Sequence, residues 1–455
     1  MKCNLFPSFQ TIITIMLLLV TLNAFSQQTT NTPYSAYGIG STEDIENGIF
    51  GGLGSSNISY YDSTVLNYFN PASYSSISKG QPLLSTGTSS RISTFSENGI
   101  NSNSSNTTLS HFALGFSFAN RFGLAFGFKP YSRRGYEFSS NEVIGSDTIK
   151  NTYSGSGSTN EAFLGLSSKL ATFSHTNVSI GVNLGYVFGS LRNRRISQLN
   201  DLSAGGIDHK NIDLRGFNSD IALSVNHKIN EKHSFTLSSV YTPSLRFNAD
   251  RSTNLFYGAD VLDESTYFRL DSTGNVEGNI NSQSKIKGGI NYRIAFKDVA
   301  KKSKVRNSEI SIHLNYKYTN WKDYKETYNG IDNLNNFYNT SKITFGFQYT
   351  PETSFLSSAS SSKIFEKIRY RAGFYNYTLP VQQSLNTIND YGVSLGFGIP
   401  IQVQKSMSSI NISVGYGQRN NGVSTDFREN YTSLNFSLIM APGNFEKWFV
   451  KRKYN

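Results

Sequence analysis

From about Gln81 onward, apolar and aromatic residues recur at every second position, and the positions between them are small and polar rather than charged. In Ser308–Tyr318, Ile310, Ile312, Leu314, Tyr316 and Tyr318 alternate with Ser311, His313, Asn315 and Lys317. Ile343–Tyr349 and Tyr391–Ile399 repeat the pattern, as do Phe112–Phe118, Phe122–Phe128, Val178–Phe188, Ile286–Phe296, Ile410–Tyr416 and Leu434–Met440. A period of two sets alternate side chains on opposite faces of a strand. A soluble sandwich would carry many charges on its wet face. Here that face is mostly Gly, Ser, Asn and Thr, which suits a narrow barrel interior while the aromatic and branched set meets lipid. Tyr186, Tyr241, Tyr316, Tyr318, Tyr349 and Tyr416 fall near strand ends, where interfacial girdles form.

The segments number about fourteen, an even count that lets a single chain close. The expected fold is therefore all-β, a transmembrane antiparallel β-barrel with a lumen plug ahead of it. If the first strand runs outward, the outer loops are Ser96–Thr107, Ser140–Thr159, Asn200–Ile212, Asn248–Asn279, Asn329–Tyr338, Val381–Ile388 and Asn420–Asn430. Most inner connections are tight, such as Asn120-Arg121, His175-Thr176 and Asn230-Glu231. Asp298–Asn307, Pro351–Glu366 and Ile401–Ser408 are longer.

The N-terminus places this barrel outside the cytoplasm. Lys2 precedes the apolar run Ile12–Leu22, which falls short of the ~20 residues a spanning helix needs. Ala24-Phe25-Ser26 then reads as a cleavage site, with Gln27 the expected mature N-terminus. The expected division is a signal peptide over 1–26, a plug or hatch over 27–80, the barrel over 81–440 and a basic-aromatic tail over 441–455. The one cysteine, Cys3, precedes the apolar run, so the mature chain would form no disulfide. In the tail, Trp448, Phe449, Lys451 and Arg452 suit a helix lying on the inner leaflet or against a partner.

Catalytic constellations are not evident. The six histidines show no metal-ligand spacing. No serine occupies a Gly-x-Ser-x-Gly elbow, and the glycines at Gly38–Gly40 and Gly51-Gly52 lack the strand-then-helix context of a phosphate loop. No enzyme activity, cofactor or metal is implied. The net charge of +11 does not signal nucleic acid, which an exported barrel never meets. Lys285, Lys287, Arg293 and Lys317 share the inward phase of their strands, either to attract a ligand carboxylate or as solvated lumen charges.

Asn70-Pro71-Ala72, preceded by the glycine-rich Gly51–Ser56 and by Pro33–Gly40, resembles the long-chain fatty-acid transporter family of outer-membrane proteins. With the basic-aromatic tail, the resemblance is to the family's Bacteroidota members. It implies a fourteen-stranded barrel with an N-terminal hatch, and ligands that enter from outside and leave sideways through a kinked third strand. In this sequence that strand reads Phe122–Phe138, and Lys129-Pro130-Tyr131 marks the candidate lateral opening, because proline interrupts a ladder bond. A bulge at the outer rim without a passage is the alternative, and Thr242-Pro243 repeats the interruption in a later strand.

Two functions follow as expectations. One is passive uptake of a hydrophobic or amphipathic small molecule. The other is a non-transporting accessory subunit of a larger outer-membrane complex for protein secretion or outer-membrane protein assembly, as the resemblance to Bacteroidota adapters implies. Outer-membrane lipid surrounds the barrel in both; the second adds outer-membrane proteins or surface lipoproteins as partners. Phe256, Tyr257, Tyr267 and Phe268 discriminate between them: an apolar pocket at their base favours a ligand, a flat patch a partner.

Overall fold

The structure is a computed structural model that describes residues 31–79, 82–118, 121–199, 202–300, 304–333, 336–351, 365, 367–383, 385–401, 408–423 and 426–441. The strand segments are β1 (Leu83–Glu97), β2 (Ile100–Ser117), β3 (Phe122–Arg133), β4 (Tyr136–Ile144), β5 (Asp147–Thr172), β6 (Thr176–Leu199), β7 (Gly205–Lys228), β8 (His233–Thr242), β9 (Arg246–Gly258) and β10 (Tyr267–Asn281). They continue with β11 (Ser284–Ala300), β12 (Lys304–Asn320), β13 (Lys325–Tyr328), β14 (Ile331–Asn333), β15 (Thr340–Thr350), β16 (Arg369–Gln383), β17 (Asn386–Ile401), β18 (Ser408–Asn420) and β19 (Arg428–Met440).

These segments make a closed antiparallel barrel of fourteen staves, because β3 with β4, β8 with β9 and β10 with β11 are broken staves, and β13–β14 is a hairpin on the rim. Closure is direct: β1 pairs with β19 from Leu84↔Met440 to Ser96↔Arg428. Pro243 falls in the break between β8 and β9, where no ladder bond is required of it.

The alternation sorts the residues as expected. Leu314, Phe345, Val393 and Leu395 are exposed on the outer wall, whereas Ser311, His313 and Asn315 are buried in the lumen. The outward set forms the apolar belt and the inward set a polar interior.

Several expected loops are strands. Ser96–Thr107 is a ladder between β1 and β2 that closes at Asn98-Gly99, both at positive φ (48° and 80°), the residue pair a tight hairpin turn requires. Ser140–Thr159 is the β4–β5 hairpin turning at Gly145-Ser146, and most of Asn248–Asn279 is the paired β9 and β10. Asp298–Asn307 likewise continues the β11–β12 ladder down to Ala300↔Lys304. Beyond the lipid both faces of a strand are wet, so alternation vanishes although the ladder persists. The export segment, the tail with Trp448, Phe449, Lys451 and Arg452, and most of Pro351–Glu366 lie outside the described residues.

Candidate functional site

Residues 31–79 lie within the barrel and contact its inner wall along most of their length. The rim carrying the long hairpins is here termed outer. Near the inner rim the segment is held by short side chains that replace regular structure. Asn70 caps the 3-10 helix Pro71–Ser76 by accepting from the Ala72 N–H (3.1 Å), while its amide donates to Ile58 O (2.8 Å) and to Ser224 Oγ of β7 (3.0 Å). Asn67 repeats the device, donating to Asn57 O (2.6 Å) and Tyr60 O (3.0 Å). The Asn-Pro-Ala element is thus a cross-link between two turns of the segment and the wall. Tyr74 donates to Asn183 Oδ1 of β6 (3.0 Å), Tyr68 stacks on His111 (4.5 Å between centroids) and Tyr60 on His313 (5.4 Å).

Glycines of the wall receive this segment. A Cβ on Gly373 of β16 would come within 2.0 Å of Gly54 N, and one on Gly181 of β6 within 2.3 Å of Pro71 C. Backbone therefore meets backbone where a side chain has no room.

Higher in the lumen, Glu43 and Asp44 meet the lysines. Lys317 Nζ lies 3.4 Å from Asp44 Oδ2 and 3.5 Å from Glu43 Oε1. Lys287 stands 3.9 Å from Asp44 and Lys342 3.8 Å from Glu43. Burial works against both carboxylates, but Lys317 and Lys342 around Glu43, and Lys287 and Lys317 around Asp44, hold them below their ordinary range. Among the described residues Glu46 has no ion-pair partner within 4 Å, and burial pushes its carboxyl up to about 7, with Lys342 opposing. Of the inward cations, Lys287 and Lys317 thus pair with carboxylates of the inserted segment and Arg293 with Glu309 (3.2 Å), whereas Lys285 lies over the Tyr131 ring (5.8 Å). Sequence reasoning missed these acids, although Thr42-Glu43-Asp44-Ile45-Glu46 is a dense acidic run within a segment otherwise poor in charge.

The third stave is the unusual part of the wall. β2 and β3 pair only from Phe112↔Phe128 to Ser117↔Gly123; farther out, no ladder joins them among the described residues. On its other side β3 stays paired with β5 to Arg133↔Ser158, with a register shift between Pro130 and Ser132. Pro130 therefore sits at a bulge where the β2–β3 seam begins. Lys129 turns inward to Glu161 of β5 (3.6 Å), and the Tyr131 ring meets Phe247 edge-on (5.6 Å). The N-terminal segment covers the lower seam. Ser41 forms a two-bond bridge with Arg133 (2.8 and 3.0 Å), the Thr32 N–H donates to Gly135 O (2.8 Å), and Asn31 reaches Ser104 of β2. Arg134, a fully buried side chain, donates to Gly38 O and to Asn193 Oδ1.

The four outer aromatics divide into two pairs. Phe256 and Tyr267 turn inward onto Ile196, Ile207 and Val261, with Tyr267 donating to Val261 O (2.6 Å). Tyr257 and Phe268 are paired across the β9–β10 ladder and exposed, beside exposed Leu255 and Leu270. The cavities in the lumen are small and polar. One of about 90 Å³ is lined by Glu43, Glu46, Arg91, Arg133, Lys342 and Arg419; one of about 30 Å³ lies against Lys129, Pro130, Tyr131 and Glu161. An open groove of about 580 Å³ on the outer rim is lined by Arg246, Glu277, Asn281, Lys325 and Asp332. Among the described residues no group of three or more His, Cys, Asp and Glu could hold a metal.

Three solved structures share this architecture. A FadL homologue of Pseudomonas aeruginosa is 12% identical with TM-score 0.54, covering 88% of this chain and 99% of that one. The toluene transporter TodX of Pseudomonas putida is 14% identical with TM-score 0.56 over 88% and 99%. The CymD monoaromatic hydrocarbon channel is 11% identical with TM-score 0.51 over 88% and 98%. At such identities the likeness is one of fold. The comparison with curated proteins gave no match. A family model described as BamG matches residues 9–455.

Proposed function

We propose, from the premise that this chain belongs to the BamG family, that it is a non-transporting accessory subunit of a larger outer-membrane protein complex. Protein secretion or outer-membrane protein assembly is the work such a complex would do, and outer-membrane proteins or surface lipoproteins would be its partners. The observation that carries this reading is the occupied lumen. Apolar-ligand sites are typically ~300–1,000 Å³ and mostly hydrophobic, whereas the lumenal cavities described are at most about 90 Å³ and lined by ion pairs. An apolar tail on that route would have to displace Glu43 and Asp44 from Lys287, Lys317 and Lys342 and would offer the lysines nothing in return. Tyr257 and Phe268, exposed side by side on the outer hairpin, agree with a partner surface.

A second reading, passive uptake of a hydrophobic or amphipathic small molecule, draws on the seam beside Pro130 and on the fold shared with hydrocarbon channels such as CymD. One experiment separates the two. The tagged native protein is purified in gentle detergent, and co-purifying proteins and extracted lipids are identified by mass spectrometry. Stoichiometric protein partners without a bound fatty-acid-like molecule are expected. A stoichiometric ligand of that kind without partners would overturn the accessory role in favour of uptake.

A further inference from the structure

β4 pairs with β5 along its whole length, from Tyr136↔Gly155 to Ile144↔Asp147, and no ladder occupies its other side among the described residues. The hairpin turns through two residues, Gly145 and Ser146, with Gly145 at φ 65°. In such a hairpin the flanking pair is hydrogen-bonded and the alternation then runs by twos. Tyr136, Phe138, Ser140, Glu142 and Ile144 therefore bond to β5, and Glu137, Ser139, Asn141 and Val143 direct N–H and C=O to the open edge. Every residue of β4 beyond Tyr136 is exposed. Edge strands are ordinarily blunted by proline, lysine, a bulge or a covering loop. β4 has neither proline nor lysine, its register with β5 is unbroken, and it exposes Phe138, Val143 and Ile144.

The same edge already accepts extended chain just below. Ser41 bridges Arg133 and Thr32 donates to Gly135, so the N-terminal segment acts as an added strand where the stave begins to lose β2. We propose that the edge of β4 continues this role as a β-augmentation site, where an extended segment of a partner polypeptide adds as a strand. A strand fits because only a backbone matches a row of alternating donors and acceptors. Glu137 and Glu142 lie on its two faces and favour a partner segment with lysine or arginine in its alternating positions. A second β4 would instead gather four carboxylates in one ribbon. The inference rests on the accessory-subunit reading and specifies where the partner is held.

The test is hydrogen exchange of the full-length protein in native membranes and as the purified barrel in micelles, followed over 136–144. Exchange is expected to be at least tenfold slower in the native complex. That protection should vanish in Ser139→Pro, which removes a donor on the open edge, and persist in Ser139→Thr; both should retain the fast-migrating folded form on unboiled gels. Stoichiometric partners without protection of β4, or protection that survives Ser139→Pro, would overturn this site and leave the accessory role standing. No partner at all would overturn both. A cross-link from Asn141→Cys to another copy of the chain would replace the hetero-partner with a self-pairing edge.

Discussion

Removing one carboxylate from the lysine cluster should loosen the upper part of the inserted segment without unfolding the barrel. Asp44 faces Lys317 at 3.4 Å and Lys287 at 3.9 Å. At an effective dielectric of about 20, a contact near 4 Å is worth about 4 kcal/mol before desolvation. Restored hydration of the freed lysines offsets much of that, and charged hydrogen bonds contribute about 1.5–3 kcal/mol net. Asp44→Asn is therefore expected to favour release of residues 41–46 by about 2–3 kcal/mol, or roughly 30- to 150-fold at 1.4 kcal/mol per decade. The reporter is Ile45→Cys, a buried position, in a chain whose one natural cysteine, Cys3, precedes the expected cleavage site. Maleimide labelling of the folded barrel in micelles should accelerate by that factor in the Asp44→Asn background. Lys317→Gln, which leaves both Glu43 and Asp44 short of a partner, should accelerate it at least as much. Removing Asp44, Lys287 and Lys317 together should restore part of the protection, because no lone charge remains from the set. Labelling rates unchanged within twofold in both single variants would refute the claim that these pairs seat the segment.

Glu46 should make the same labelling depend on pH in the opposite sense to its neighbours. Its folded carboxyl is raised to about 7, so the folded state holds the extra proton and seating weakens as pH rises from about 4.5 through 7. Glu46→Gln should flatten that limb. Glu43 and Asp44 are depressed, so their contribution is present above the ordinary carboxylate range and is lost below it, giving in acid faster labelling relative to a fully exposed cysteine at the same pH. Asn70→Ala removes a cap worth about 1 kcal/mol and strands two buried partners; the midpoint of urea unfolding, read by tryptophan fluorescence, should fall by the equivalent of about 2–4 kcal/mol. Gly373→Ala would drive a Cβ to 2.0 Å from Gly54 N and should sharply reduce the fast-migrating folded form on unboiled gels, whereas Gly288→Ala, with nothing within 4 Å, should leave it unchanged.

The wall was legible because lipid and lumen are two environments that a period-two strand must satisfy in turn, as at Leu314 and His313. Where both faces meet water the signal disappears: β4, with one apolar cluster at Val143-Ile144, looks like loop and is strand. Asn98-Gly99 was the available cue for the β1–β2 turn, since only residues tolerant of positive φ close a two-residue hairpin. The inserted segment was harder to read. Its 3-10 helices are too short for periodicity, and its specificity lies in pairings such as Lys317 with Asp44, separated by 273 residues. Lys285, Lys287, Arg293 and Lys317 could be assigned an inward phase from the sequence, but not a partner, because spacing along a strand contains no information about what fills the barrel.

The inserted segment and the seam constrain each other. Opening the seam beside Pro130 for a ligand would require Ser41 to leave Arg133 and Thr32 to leave Gly135. Residues 41–46 are continuous with those contacts, so the same movement would pull Glu43 and Asp44 away from Lys287, Lys317 and Lys342 and leave the lysines facing each other. Like charges in a narrow lumen then oppose the open state, unless an anion replaces the departing carboxylates. Pairing at the β4 edge meets no such opposition: its four outward residues already face water, and a strand added there displaces solvent without disturbing a bond inside the barrel. Strand addition at the β4 edge is therefore opposed by fewer existing bonds than opening of the seam.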